Sequence, residues 1–131
     1  MVKNSHHSGD WLLKAENELK AAKAIYNYYE EPPTDMVCYH CHQTAEKALK
    51  GYLVYRQINF PKIHDLVALL NLCAPNDKSL QLFKDDMKVL NQYYIEAKYP
   101  PDMPIVYSKE EAKEAINKAT RVLKTVRTKT T

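Results

Sequence analysis

The sequence has little glycine, no long apolar run and no strong excess of charge of one sign. Only two of its 131 residues are glycine, Gly9 and Gly51. Because a glycine-rich phosphate loop and a turn-rich β fold both require more glycine, the composition argues against both. The apolar runs are far shorter than the roughly 20 residues that cross a bilayer. A net charge of +3 is too small to indicate nucleic-acid binding by itself.

The rest of the composition is typical of one soluble globular domain. Hydrophobic residues make up 45% of the chain and charged residues 27%, both ordinary proportions. The N-terminal residues lack the apolar segment of a secretory signal. Three cysteines, an odd number, predict reduced thiols rather than a disulfide framework. We therefore expect a cytoplasmic protein.

Five segments carry apolar residues at the spacing of an amphipathic helix. They cover about 10–30, 34–57, 64–73, 79–97 and 108–128, and prolines or turn residues separate them. No segment predicts a strand, so the expected fold class is all-α, a four- to five-helix up-and-down antiparallel bundle. We expect a flexible N-terminus at 1–9, a single domain at 10–128 and a C-terminal tail at 129–131.

Helix ends and core positions follow from the same pattern. Asp10 is the expected N-cap of the first helix, and Ser108 with Glu111 forms a predicted capping box for the last. The residues expected to face the core are Leu12, Ala15, Leu19, Ala22, Ile25 or Tyr26, Tyr29, Val37, Cys41, Ala45, Ala48, Tyr52, Tyr55, Phe83, Met87, Leu90, Tyr94, Ala97, Ala112, Ala115, Ile116, Ala119, Val122, Leu123 and Val126.

Residues 38–42 spell Cys-x-x-Cys-His, the attachment pattern of a c-type haem. Covalent haem attachment normally follows export, which this N-terminus does not predict. A zinc site built from Cys38, Cys41, His42 and Cys73 is a second alternative, although structural zinc normally takes paired ligands from a turn. The simplest interpretation is a pair of cysteines on a core-facing stripe, with no cofactor.

Three spaced motifs identify a family resemblance. Residues 43–50 (Gln-Thr-Ala-Glu-Lys-Ala-Leu-Lys), then His64-Asp65-Leu66, and then the segment Tyr94–Pro100 resemble the HEPN family, in its small stand-alone prokaryotic type. The resemblance covers nearly the whole chain. It implies a four- to five-helix bundle that is commonly a homodimer and binds nucleotides. It also implies a minimal nucleotidyltransferase as partner, in some members as a toxin–antitoxin pair.

Two departures from the family pattern bear on function. Lys98-Tyr99-Pro100 stands where many members have Arg-Tyr-Pro, and lysine lacks the planar fork that holds a phosphate at two points. The ribonuclease motif Arg-x4–6-His is absent, since only Arg56 precedes a histidine and the spacing to His64 is too long. A non-catalytic binding module is therefore favoured over an enzyme. The alternative is a ribonuclease toxin that uses Arg56 and His64 across a dimer.

The candidate ligand-binding residues begin with one stripe of the second helix. Gln43, Glu46, Lys47 and Lys50 follow the i, i+3, i+4, i+7 spacing. In one interpretation the stripe is a solvated face with a single Glu46–Lys50 ion pair. In the other, Lys47 and Lys50 bind a phosphate while Gln43 bonds a base or ribose.

His64 and Asp65 open the third helix and extend the candidate site. Free amides at a helix N-terminus favour an anion. The alternative is that Asp65 caps the helix while His64 packs beneath it, hydrogen-bonded to the second helix. Lys98 and Tyr99 complete the set.

Two further groups carry weaker functional interpretations. Ten tyrosines, several of them near helix ends, are expected to fill core edges or subunit interfaces more often than to stack on a base. The basic run 118–129 is ordinary for a helix C-terminus, with contact to RNA as its alternative.

Overall fold

The computed structural model describes residues 7–94 and 106–130. Within these ranges the chain forms five α-helices, two 3-10 helices and no strand. The helices are α1 (Ser8–Tyr28), α2 (Thr34–Tyr55), α3 (Leu66–Cys73), α4 (Lys84–Asn91) and α5 (Lys109–Lys129), with 3-10 helices at Ala74–Asn76 and Lys78–Phe83 between α3 and α4. The predicted all-α bundle is confirmed.

Helix α2 lies at the centre of the bundle and packs against all four other α-helices. Most of the predicted core positions along it, from Val37 to Leu53, are buried. Five polar side chains are buried as well, namely Thr34, His42, Thr44, Glu46 and Lys50. The structure therefore places Glu46 and Lys50 in the interior, which contradicts the interpretation of this stripe as a solvated face.

Gly51 allows α1 and α2 to approach each other closely. A Cβ atom at this position would lie 3.0 Å from Leu12 Cδ2 and 3.2 Å from Trp11 Cβ. These distances are shorter than normal carbon–carbon contacts. The missing side chain thus sets the separation of the two helices beside Glu46 and Lys50.

The start of α1 differs from its prediction. The helix begins at Ser8, and its N-cap is His7, which makes no side-chain capping bond. Asp10, the predicted N-cap, lies inside the first turn. An acidic side chain stabilises the helix at either position, because both lie near the positive end of the helix dipole. The part of the predicted flexible N-terminus before residue 7 lies outside the described residues.

Two tyrosines predicted for the core are partly exposed instead. Tyr29, just after α1, is 49% exposed, and Tyr55, the last residue of α2, is 43% exposed. Both lie where a helix ends, so the apolar stripe no longer faces its neighbours. The other predicted positions of α1, from Leu12 to Ala22, are buried.

The predicted fourth helix is divided and shorter. A 3-10 helix at Lys78–Phe83 precedes α4, and Asp77 caps it by accepting a hydrogen bond from the Ser79 amide at 3.0 Å. α4 ends at Asn91 because Tyr93 turns into the core and donates its hydroxyl to Glu111 at 2.6 Å. Residues 95–97 of the prediction lie outside the described residues.

Helix α5 follows its prediction closely. All seven predicted core positions are buried, and Ser108 Oγ accepts a hydrogen bond from the Glu111 amide at 2.9 Å. The Glu111 carboxylate bonds Tyr93 of the α4 end, so one half of the predicted capping box serves a tertiary contact. In the described ranges, no helix combines the length and hydropathy that a membrane span requires.

Candidate functional site at the junction of α2, α3 and α4

A buried ion pair lies at the base of the site. Lys50 Nζ donates to Glu46 Oε2 at 2.8 Å, and the two residues are 6% and 3% exposed. The ammonium also lies 5.8 Å from the ring centroids of both Trp11 and Phe60. Cation–π contacts and the carboxylate together offset the cost of burying the lysine charge.

Glu46 is ionised although it is buried. Burial by itself raises the pKa of this carboxyl, but the hydrogen bonds and charges of Lys50 and His64 outweigh burial and lower the pKa below its ordinary value. The predicted i,i+4 pair is therefore present in a different environment. It is a buried structural contact rather than a surface one.

His64 extends this pair to the surface. Its Nδ1 lies 3.0 Å from both Glu46 oxygens, and its side chain is 51% exposed. Because a carboxylate only accepts, Nδ1 carries a proton, and Nε2 is the ring atom left for other partners. The imidazole stacks on Tyr94 with centroids 4.7 Å apart and an interplanar angle of 15°.

His42 lies beneath His64 and fixes the backbone there. Its buried ring donates from Nε2 to the His64 carbonyl at 2.9 Å. Burial lowers the pKa of His42, so the ring is neutral and Nδ1 is an acceptor. Gln43 Oε1 lies 3.1 Å from Nδ1. Because Nδ1 of the neutral ring accepts, the opposite amide orientation, with the Gln43 nitrogen at this place, gives the hydrogen bond.

The N-terminus of α3 is capped by two side chains. Asp65 Oδ1 accepts from the amides of Val67 and Ala68 at 3.0 and 3.2 Å. Asn91 Oδ1 accepts from the Leu66 amide at 2.8 Å, and Asn91 Nδ2 donates to Asp65 Oδ1 at 3.0 Å. The first three amides of α3 are therefore occupied. The predicted N-cap role of Asp65 and the predicted bond of His64 to α2 are confirmed, whereas His64 does not pack beneath Asp65, since its side chain is 51% exposed.

An open cleft of about 420 Å³ lies over this junction. It is lined by Ile63, His64, Asp65, Asn91 and Tyr94. The lining combines an aromatic stack, an aliphatic side chain, a carboxylate and a carboxamide. Such a mixture of apolar surface and a few oriented polar groups is typical of a small-molecule site.

The predicted site residues are thus divided between cleft and interior. His64 and Asp65 line the cleft, whereas Glu46 and Lys50 lie behind it. Lys47 is on a different side of α2, where its ammonium lies 3.5 Å from Glu18. Lys98 and Tyr99 lie outside the described residues.

The sequence-based set of site residues lacks three residues of the cleft, Ile63, Asn91 and Tyr94. Asn91 carries no motif, and its role depends on the return of α4 to the start of α3. Tyr94 matches the apolar stripe of the fourth helix, which predicts a core position. Tyr94 does open the third family motif, but no local signal marks Asn91, because it acts through a tertiary contact.

The cysteines of the Cys-x-x-Cys-His motif face the core. Cys38, Cys41 and Cys73 are all fully buried, which confirms the predicted core stripe. Burial raises the pKa of Cys38 and of Cys73 to about 12. Within the part of the chain that the structure describes, no group of three or more His, Cys, Asp or Glu side chains is arranged to hold a metal ion.

The basic residues of α5 are largely paired with acidic side chains. Arg127 bonds Glu16 at 2.7 Å, and Arg121 lies 3.4 Å from Asp86. Lys129 pairs with Asp77. These partners neutralise much of the charge on which the RNA-contact alternative depends.

The site and the fold agree with one protein family. The family model of the HEPN domain matches residues 8–129. The chain therefore belongs to the HEPN family, as the three motifs indicate. No curated protein matches it significantly.

Two solved structures are similar over almost their full length. The crystal structure of an archaeal HEPN homologue is 26% identical and has a TM-score of 0.75, covering 95% of this chain and 98% of that one. The crystal structure of TT1696 from Thermus thermophilus is 30% identical and has a TM-score of 0.77, covering 93% of this chain and 97% of that one.

Proposed function

We propose that this HEPN protein binds a nucleotide in the cleft between α3 and α4. The observation that carries the proposal is the half-exposed His64 ring, held at the cleft by Glu46 and stacked on Tyr94. Oriented aromatic surface beside hydrogen-bonding groups suits a nucleobase, which offers a flat face and a polar edge. The buried charges of Glu46 and Lys50 hold the ring in place.

The roles predicted for Lys47 and Lys50 as phosphate ligands have less support. Each ammonium already pairs with a carboxylate, Glu18 and Glu46 respectively. Gln43 lies against His42, so it supports the site from within. His64 and Asp65 are the predicted ligand residues that the cleft brings together with Asn91 and Tyr94.

Isothermal titration with ATP, GTP and their monophosphates tests the proposal. We expect binding by the wild-type protein and a loss of about tenfold or more in His64→Ala, because the stacked ring is removed. His40→Ala is the matched control, since His40 also bonds a glutamate, Glu18, at 2.7 Å but on the α1 side of α2. Binding that is absent at about millimolar ligand, or equal in both variants, rejects the proposal.

We also propose that the protein acts as a non-catalytic homodimeric module with a minimal nucleotidyltransferase as partner, in a toxin–antitoxin-like pair. The family resemblance supports this proposal. Exposed side chains near the α1–α2 connection also support it, with Tyr28 80% exposed and Met36 38% exposed. Aromatic residues and methionine are enriched at protein interfaces.

Light scattering after size exclusion tests the dimer, and co-purification with a co-expressed minimal nucleotidyltransferase tests the partner. Tyr28→Glu should weaken one of these associations. Leu82→Glu is the control. Leu82 is an equally exposed apolar side chain, 83% exposed, but it lies on the second 3-10 helix and not at the α1–α2 connection. A monomer that captures no such partner would contradict the proposal.

A ribonuclease is the second candidate, and the Glu46–His64 pair is the observation that favours it. A carboxylate that fixes an imidazole tautomer leaves Nε2 free to accept a proton. Arg56, the other predicted catalytic residue, follows α2 about 15 Å further along the helix axis than Glu46. Growth arrest on expression that His64→Ala relieves would support the enzyme, whereas normal growth with intact cellular RNA would reject it.

A further inference from the structure

The lining of the cleft, as far as the structure describes it, is poor in cations. Its described lining residues include no lysine or arginine, and Asp65 contributes a negative charge. The nearest buried ammonium, that of Lys50, is neutralised by Glu46 at 2.8 Å. A phosphate in the cleft would therefore meet the Asp65 carboxylate and no lysine or arginine from these described lining residues.

The α3 amides are not available to an anion either. Asn91 occupies the Leu66 amide, and Asp65 occupies the two amides that follow. A helix N-terminus binds phosphate through such amides when they are free. Capping by Asp65 therefore removes the usual anion site and replaces it with a carboxylate.

The same capping leaves a defined set of polar atoms at the cleft. Asp65 makes its three hydrogen bonds to described residues through Oδ1, so Oδ2 keeps its capacity to accept. Asn91 uses one N–H of its amide on Asp65, which leaves a second N–H. In the neutral ring, His64 Nε2 is a further acceptor.

These atoms suit a ribose rather than a phosphate. The vicinal hydroxyls of a ribose supply two donors to a carboxylate, as in dinucleotide-binding sites where an acidic residue bonds the 2′-hydroxyl. We propose that, in the nucleotide site proposed above, the cleft holds the nucleoside part of the ligand. Asp65 accepts from the ribose hydroxyls, and the phosphates lie outside the cleft.

This proposal rests on nucleotide binding at the cleft. One titration series tests nucleotide binding and the ribose-anchored binding mode separately. The probes are the four ribonucleosides, their 2′-deoxy analogues, and the corresponding 5′-monophosphates and triphosphates, each at low and high salt. A ribonucleoside and its phosphates should bind within about threefold of one another, with little effect of salt. The 2′-deoxy analogue should bind about tenfold or more weakly, because a hydrogen bond to a charged group is lost.

Asp65→Asn is the decisive variant. Asparagine caps a helix as well as aspartate does, so the fold is kept while the carboxylate charge is removed. Its ribonucleoside affinity should fall to that of the deoxy analogue. Asp77→Asn is the matched control, because Asp77 also caps a helix start, that of the second 3-10 helix, and should leave binding unchanged.

Each result decides one of the two proposals. If a triphosphate binds more than about tenfold tighter than its nucleoside and salt abolishes the difference, nucleotide binding stands and the ribose-anchored mode is rejected. Equal binding of ribose and deoxyribose, or no effect of Asp65→Asn, also rejects this mode. If no probe binds, nucleotide binding itself fails.

Discussion

At the scale of single residues, the centre of this bundle is a chain of polar contacts from Lys50 through Glu46 to His64. Two charges are buried at one end, and a half-exposed imidazole lies at the other. Buried charges of this kind are costly unless each has its partner. The contacts therefore connect the stability of α2 to the geometry of the cleft.

Glu46→Gln should be strongly destabilising. It leaves the Lys50 ammonium buried between Trp11 and Phe60 without its carboxylate. Removing one partner of a buried ion pair costs about 3 kcal/mol or more of unfolding free energy, which urea denaturation measures.

Two controls accompany this variant. The Glu114–Lys118 pair has the same i,i+4 spacing and the Glu114 side chain is 62% exposed, so Glu114→Gln should cost no more than about 0.5 kcal/mol. The double variant Glu46→Gln with Lys50→Met should recover much of the lost stability, because no unpaired charge remains. Equal losses for Glu46→Gln and Glu114→Gln would contradict a buried charge pair.

His42 should make stability depend on pH in the mildly acidic range. Its pKa is lowered by burial from 6.5, so the unfolded chain binds a proton before the folded one does. Stability is therefore full above about pH 6.5 and falls as the pH drops below it, by at most about 1.4 kcal/mol per pH unit. Denaturant unfolding between pH 7.5 and 5.5 would measure this slope.

The dependence of unfolding free energy on pH should become weaker in His42→Gln. It should remain in His40→Gln, since His40 is part-exposed and bonds Glu18. An unchanged slope in His42→Gln would assign the effect to another group. The lowered pKa of Glu46 acts in a separate window, below the ordinary carboxyl value of 4.5, where stability falls as Glu46 is protonated.

The environment of these residues could be predicted only in part from the sequence. The i,i+4 spacing identifies the Glu46–Lys50 pair, and the position of Asp65 before an apolar run identifies an N-cap. Burial of the pair could not be predicted. The spacing of apolar residues along α2 identifies one buried face, whereas in the structure other helices pack on most of its sides.

At the scale of elements, the packing of α1 on α2 depends on a position without a side chain. Gly51 lies against Leu12 and Trp11, and the Trp11 contact is with Cβ, which cannot move without the α1 backbone. The flexible end of Leu12 can adjust more easily. The helix pair is therefore sensitive to even one added methyl group.

Gly51→Ala should lower the unfolding free energy by about 1 kcal/mol, because the strain at Trp11 exceeds the helix propensity gained. Gly9→Ala is the matched control, since a Cβ there meets nothing within 4 Å and should be neutral or stabilising. Thermal unfolding of both variants measures the difference. A stabilised Gly51→Ala would show that α1 can shift without cost.

The elements themselves are mostly predictable from sequence, and the exception has a tertiary cause. Prolines 32 and 33 separate α1 from α2, and Ser108 marks the start of α5. The end of α4 is not predictable, because the chain turns there to bring Tyr93 to Glu111, a partner on α5. Local propensity alone would continue that helix.

At the scale of the whole molecule, the three cysteines report on global unfolding. Each is buried, and burial raises the pKa of its thiol, to about 12 for Cys38 and Cys73. A thiol that is both buried and protonated reacts poorly with alkylating reagents.

Iodoacetamide should therefore modify all three thiols together, at a rate set by opening of the entire bundle. Mass spectrometry across a low-denaturant series would measure that rate for each cysteine. The fully denatured protein supplies the intrinsic rate. Modification of one cysteine at that intrinsic rate under native conditions would contradict a common opening.

The lysine between two aromatic rings has a practical consequence for spectroscopy. Trp11 is the single tryptophan of the chain, and the Lys50 ammonium lies 5.8 Å from its ring centroid. A positive charge this close shifts the emission of an indole, and that charge is balanced by Glu46, the partner of His64. The emission wavelength of Trp11 should therefore respond to changes at the candidate site without any added label.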